Sequence, residues 1–314
     1  MDASSGAGAR YSRIRAFISL TVLVLMIALP FVDRGHVDPE KPGEERLLYG
    51  EYLDWREVGS IFPKYGNATV LDLDTGLVFN IQRRGGTYHA DVQPLTAEDT
   101  VIMKNIYGGE WSWKRRAVLV TAGGVRIAGS MNGMPHGGGH IHGNDFPGHF
   151  CIHFRGSRLH INGREDPAHR IMVLKAAGLL EEVIVKSSAE EVLKIFFTAL
   201  DQREMNITAR TAYFQSPGDL TGLFVRAEQI KKIKPQQFAS GGGGSFKISL
   251  EIEFNSGVTV RRKEKTVGMV HREDMGWRVD YSTVGPLLTP DRGPDEKVFR
   301  PVFVEDVEEE QVME

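Results

Sequence analysis

The chain has 314 residues, enough for two ordinary domains, and 41% of them are hydrophobic, a globular composition. A net charge of −3 gives no ground for a nucleic-acid partner. The single cysteine, Cys151, excludes an intramolecular disulfide and, in an exported protein, stands out as a reactive thiol.

Arg10, Arg13 and Arg15 precede an uncharged run from Ala16 to Val32, which Asp33 and Arg34 close. Such a run is near the shortest that spans a bilayer and longer than most signal-peptide cores. No small-x-small cleavage pattern follows, so an uncleaved transmembrane anchor is expected over 16–33. The arginine bias places residues 1–15 in the cytoplasm and everything after Asp33 outside, as a single-pass protein of the cell membrane. Residues 34–52 read as a polar linker.

A β-rich domain is expected over 53–182. The run from Ala68 to Arg83, A-T-V-L-D-L-D-T-G-L-V-F-N-I-Q-R, alternates on both sides of Asp74, Thr75 and Gly76, a hairpin signal. Asp72 and Asp74 fit turn chemistry better than a carboxylate pair. Trp111 to Arg116 mixes aromatic rings and cations, which suits a glycan groove or, more plainly, packing at a domain edge. Ala117 to Val120 and Gly124 to Ala128 read as strands around Gly123-Gly124, and Phe150 to Phe154 as another. Asp166 to Gly178 reads as a helix, with Asp166 as N-cap, Pro167 in the first turn and Gly178 as the stop.

An α+β domain is expected over 187–287. Ser188 caps a helix whose apolar residues Val192, Ile195, Phe196, Ala199 and Leu200 follow the helical period. Gly241 to Gly244 reads as a flexible loop, followed by strands over Ser245 to Phe254, Val258 to His271 and Gly276 to Ser282. A helix packed on a curved antiparallel sheet follows from that order. The helix from Glu190 to Asp201 and the closing G-W-R-V-D-Y weakly resemble SnoaL-like, nuclear-transport-factor-like domains, which implies a binding or spacing module. The acidic stretch 288–314 reads as a disordered tail.

The chemistry concentrates in residues 130–157, S-M-N-G-M-P-H-G-G-G-H-I-H-G-N-D-F-P-G-H-F-C-I-H-F-R-G-S. A nucleophilic cysteine needs a base within hydrogen-bond reach. His136 lies upstream of Cys151, and Gly137, Gly138 and Gly139 let the loop between them fold back. A nearby imidazolium would lower the thiol below its usual pKa of about 8.5.

This segment resembles the active site of the L,D-transpeptidases, the YkuD-type cell-wall enzymes, whose motif is H-G-x, a loop, then S-H-G-C-x-R or S-H-G-C-x-N. His136-Gly137 matches the first element and Gly148-His149-Phe150-Cys151-Ile152-His153 the second. The resemblance covers roughly residues 65–175. It implies that Cys151 attacks a peptidoglycan stem peptide and forms a thioester. His136 would be the base, oriented by a backbone carbonyl. His149 would support it, and the Phe150 and Cys151 amides would bind the oxyanion. Gly148, Phe150 and His153 stand where the family has Ser, Gly and Arg or Asn. Phe150 would therefore bring a bulky ring to the substrate's approach, and His153 would take over a polar orienting role.

The expected fold class is thus a membrane-anchored chain of a Gram-positive-type bacterium, with a β-rich L,D-transpeptidase-like domain followed by an α+β domain. Its expected function is acyl transfer or hydrolysis on peptidoglycan without a cofactor. One alternative is a zinc-dependent peptidoglycan peptidase holding its metal on His140, His142 and His149, with Asp145, Cys151 and His153 as further candidate ligands. A second is a non-catalytic wall-binding protein that keeps the fold without the chemistry.

Overall fold

The computed structural model describes residues 48–138, 141–160 and 162–290. The residues from Leu48 onward form one compact unit. The expected anchor at 16–33 and nearly all of the acidic tail lie outside the described residues. Among the described residues no helix is long and apolar enough to cross a membrane.

Six strands make the first half: β1 (Asn67–Asp72), β2 (Val78–Gly85), β3 (Ala90–Pro94), β4 (Arg116–Ala122), β5 (Val125–Met131) and β6 (Phe150–His153). They close a barrel in the order β1-β2-β3-β6-β5-β4, every neighbouring pair antiparallel. The β1–β2 hairpin forms where the alternation predicts it, with Leu71 opposite Val78. Asp72 accepts hydrogen bonds from the Thr75 amide and hydroxyl, and it pairs with Arg116 at 2.6 Å. The carboxylate that shapes the turn is therefore also a fully buried ion-pair partner.

Val70, Phe79, Ile81, Val92, Val118, Val120, Ile127, Phe150 and Ile152 fill the barrel. Two helices that the sequence reading did not isolate add to this core. These are α1 (Trp55–Ile61), through Val58, and α2 (Ala97–Ile106), through Met103 and Ile106. Both begin with capping boxes, at Asp54 and Thr96.

Strand β4 is apolar on both faces. Val118 and Val120 point inward, while Ala117 and Leu119 belong to a second cluster outside the barrel. Helix α3 (Pro167–Ala176) lies against β4 and β5 and covers that outer face. Asp166 caps it, its carboxylate accepting from the Ala168 and His169 amides. Helices α4 (Leu180–Lys186), α5 (Ala189–Gln202) and α6 (Met205–Arg210) follow.

The second sheet holds β7 (Ala212–Tyr213), β8 (Ile230–Gly242), β9 (Ser245–Phe254), β10 (Thr259–Arg272) and β11 (Gly276–Asp280) in the order β7-β11-β10-β9-β8. It is antiparallel except where β7 runs parallel to β11. Helix α7 (Pro217–Gln229) precedes β8, and α8 (Tyr281–Val284) ends the described fold together with a short 3-10 turn.

The expected fold class is corrected by this architecture. It is a closed six-stranded antiparallel barrel with a second sheet and helices, rather than a transpeptidase-like domain followed by an α+β domain. One apolar cluster runs from Leu119 and Ala128 through Met172 of α3 and Phe196 and Phe197 of α5 to Ile248 and Ile252 of the sheet. The physical reason is the double-sided apolarity of β4 and α3. Such elements need cover on both faces, and the second half supplies it.

Candidate thiol–imidazole site

Strand β6 sorts its side chains by alternation. Phe150 and Ile152 enter the barrel, while Cys151 and His153 take the opposite face. Phe150 is fully buried, with ring centroids 6.2 Å from Phe79 and 5.7 Å from Phe146. The bulky ring expected at the substrate's approach is therefore a core residue facing away from the thiol. Successive N–H groups along a strand lie in the sheet plane and point to opposite edges, so the Phe150 and Cys151 N–H groups do not converge on one oxyanion.

The two halves of the motif meet through a backbone clamp. The His136 amide donates to the His149 carbonyl and the His149 amide to the His136 carbonyl, each at 2.9 Å. Gly148 has φ +113°, and a Cβ there would lie 2.6 Å from the His136 carbonyl oxygen. A Cβ on Gly137 would lie 2.3 Å from the His149 ring. These two glycines let the clamp close.

His136 Nε2 lies 3.1 Å from Cys151 Sγ, and its Nδ1 is 2.8 Å from the Met134 carbonyl. A carbonyl only accepts, so Nδ1 carries the hydrogen and the Nε2 lone pair faces the thiol. Burial holds His136 below its ordinary pKa against the raising effect of the Met134 carbonyl. The imidazole is therefore neutral and ready to accept a proton. The expectation of a low thiol pKa is corrected. Burial pushes Cys151 up, the Asp91 carboxylate adds to the rise, and the Asn132 side chain opposes it. The resting pair is thiol and neutral imidazole, and an anion forms only as the proton moves.

Asp91 was not legible as a site residue. It sits on β3 directly opposite Cys151, with Oδ1 3.9 Å from Sγ, 3.3 Å from His89 Nε2 and 3.9 Å from His149 Nε2. The available signal was the alternation His89-Ala90-Asp91, which puts both polar residues on one face. Strand β3 spans only five residues and ends at Pro94, too short to stand out.

His153 does not take the expected orienting role. Its ring stacks between His89, at 4.3 Å, and His169, at 3.8 Å, and His160 meets His89 edge-on at 4.5 Å. Burial holds His153 and His169 well below the usual histidine range, and charged neighbours reinforce it. The Ser130 hydroxyl hydrogen-bonds His169 Nδ1 at 2.8 Å, closing the buried end of this column.

Of the alternative zinc set, His149 sits at the clamp with its Nε2 3.9 Å from Asp91, His142 lies in an exposed turn and His140 lies outside the described residues. Asp145 is exposed. Trp113, half exposed, lies 5.1 Å from the His136 ring. A separate cavity of about 600 Å³, lined by Trp55, Arg56, Arg83, Tyr88 and Arg158 among others, contains none of the expected site residues. The thiol–imidazole pair lies outside that cavity.

No protein-family model, no curated protein and no solved structure matches this chain.

Proposed function

We propose that this protein is a cysteine acyltransferase or hydrolase acting on peptidoglycan stem peptides through a Cys151 thioester. The observation that carries the chemistry is the 3.1 Å contact between His136 Nε2 and Cys151 Sγ, with the imidazole oriented by the Met134 carbonyl. The substrate class rests on the H-G and G-H-F-C-I-H elements and their resemblance to the L,D-transpeptidase motif. The exposed Trp113 ring beside His136 suits a sugar-bearing substrate. The extracytoplasmic setting, anchored in the cell membrane, rests on the apolar run at 16–33 and its flanking arginines.

In the proposed reaction the Cys151 thiol proton passes to His136 Nε2 as Sγ bonds to the substrate carbonyl carbon. The tetrahedral adduct collapses, and the departing amine takes that proton from His136. An acceptor amine, or water, then attacks the thioester carbonyl carbon as His136 Nε2 takes its proton. Release of the new amide or acid returns the proton to sulfur.

The test is intact-mass spectrometry after incubation with muropeptides. Wild-type protein should carry a stem-peptide adduct that Cys151→Ala lacks, and a chelator should not abolish turnover. An unmodified protein with no product would overturn the proposal. If it still bound sacculi, the wall-binding alternative would replace it. Because the thiol pKa is raised, its alkylation by iodoacetamide should keep accelerating past about pH 8.5, the ordinary thiol value.

A further inference from the structure

Three imidazoles converge on the thiol and Asp91, each anchored in the same way. His89 Nδ1 lies 2.8 Å from the Arg158 carbonyl, His149 Nδ1 3.2 Å from the Gly138 carbonyl, and His136 Nδ1 2.8 Å from the Met134 carbonyl. Each carbonyl fixes the Nδ1–H tautomer, so each neutral ring turns an Nε2 lone pair inward. A backbone carbonyl on the far nitrogen is how metal-ligating histidines are held.

His136 spends its lone pair on the thiol, but His89 does not. His89 is 2% exposed, and its Nε2 has no hydrogen-bond partner among the described residues. That nitrogen faces Asp91 Oδ1 at 3.3 Å, an ion-pair distance. A buried imidazole nitrogen and a carboxylate facing each other need a proton or a metal cation between them. One donor atom each from His89, Asp91 and Cys151 lies within 4.8 Å of the others. Tetrahedral donors about 2.0–2.3 Å from a zinc ion stand about 3.3–3.8 Å apart. The separations of 3.3 Å and 3.9 Å are close to that spacing.

We propose that His89, Asp91 and Cys151 form a binding site for zinc or a similar divalent transition-metal ion, and that metal there competes with nucleophilic use of the thiol. A thiolate, an imidazole and a carboxylate form a borderline donor set, which suits zinc and not the hard oxygen-seeking cations magnesium and calcium. Coordination displaces the thiol proton to solvent and ties up the sulfur lone pair that acyl transfer needs. This set differs from the His140–His142 pair of the sequence reading. It is assembled by strand pairing, with β3 supplying Asp91 opposite Cys151 and His89 just before the strand.

The experiment titrates cobalt(II) into metal-free full-length protein. A thiolate-to-cobalt charge-transfer band should saturate at one equivalent, and zinc should bleach it. His89→Ala and the near-isosteric Asp91→Asn should each raise the dissociation constant at least about 100-fold, the upper end of what losing even an outer-shell partner costs. His142→Ala, in the exposed turn, should not change it. One equivalent of zinc should slow iodoacetamide labelling of wild-type Cys151 at least tenfold, and this protection should vanish in Asp91→Asn. Absence of the band overturns the proposal, as does a band that neither variant weakens. The band is read without substrate. A saturable band with no muropeptide turnover would therefore sink the acyl-transfer reading alone, and turnover without a band would sink the metal site alone.

Discussion

The barrel and the second sheet bury their strands differently. In the sheet, β9 buries Ile248, Leu250, Ile252 and Phe254 on one face, and its charged residues, such as Glu251 and Glu253, pair with Arg261 and Lys231 on the other. In the barrel, the second face of β3 and β6 is also shielded, and what it shields is polar: Asp91, Cys151 and His153, with His89 and His169 packed beside them. Burial in the sheet produces stability. Burial at the barrel face instead shifts titration, because removing water from Cys151, His153 and His169 favours their neutral forms.

That contrast is tested most severely by substitutions that should separate chemistry from stability. His136→Ala should lower turnover by about 10²–10⁴-fold, the contribution of a positioned general base. Cys151→Ala should take it to background while changing unfolding free energy by about 1 kcal/mol, as read from denaturant melts. Equal losses of stability and turnover would erase the distinction between the two regions.

Next come the core residues. Phe150→Gly should cost about 3–5 kcal/mol of stability and give no gain in activity, because the ring fills the barrel between Phe79 and Phe146. Ile252→Ala in the sheet should cost about 2–5 kcal/mol and leave Cys151 alkylation at its wild-type rate. A faster enzyme from Phe150→Gly would put the ring back in the substrate's path.

A smaller effect is expected at the clamp. Gly148→Ala places a side chain at φ +113° and against the His136 carbonyl. It should cost about 1–3 kcal/mol, and slowed turnover should accompany the loss as His136 shifts.

The smallest effect is on pH dependence. His169 is held neutral in the fold by burial, so its folded pKa lies below its unfolded value of about 6.5. The unfolded chain binds the proton first. Its contribution is thus fully present above about pH 6.5 and is lost as pH falls below it, by about 1.4 kcal/mol per pH unit. Denaturant melts at pH 7 and 5.5 should show a shallower loss for His169→Gln than for wild type. Equal slopes would mean that His169 carries its proton in the fold.

The sequence by itself determined the local elements with strong periodicity and clear punctuation. The β1–β2 hairpin around Gly76, the Asp166-capped helix and the Ser188-capped helix all stand where alternation, caps and glycines place them. It also brought His136, His149 and Cys151 together, because a glycine-rich loop between two short motif halves leaves few ways to close. Tertiary structure alone decided what closes the barrel, what covers the outer face of β4 and which residues flank the thiol. Asp91 and His89 reach Cys151 only through β3–β6 pairing across some sixty residues. Phe150 is a core residue only because β6 turns that face inward. Periodicity reports that a face is apolar or that a residue alternates. Which strand lies alongside is set by closing the barrel as a whole, and no local window of sequence contains that information.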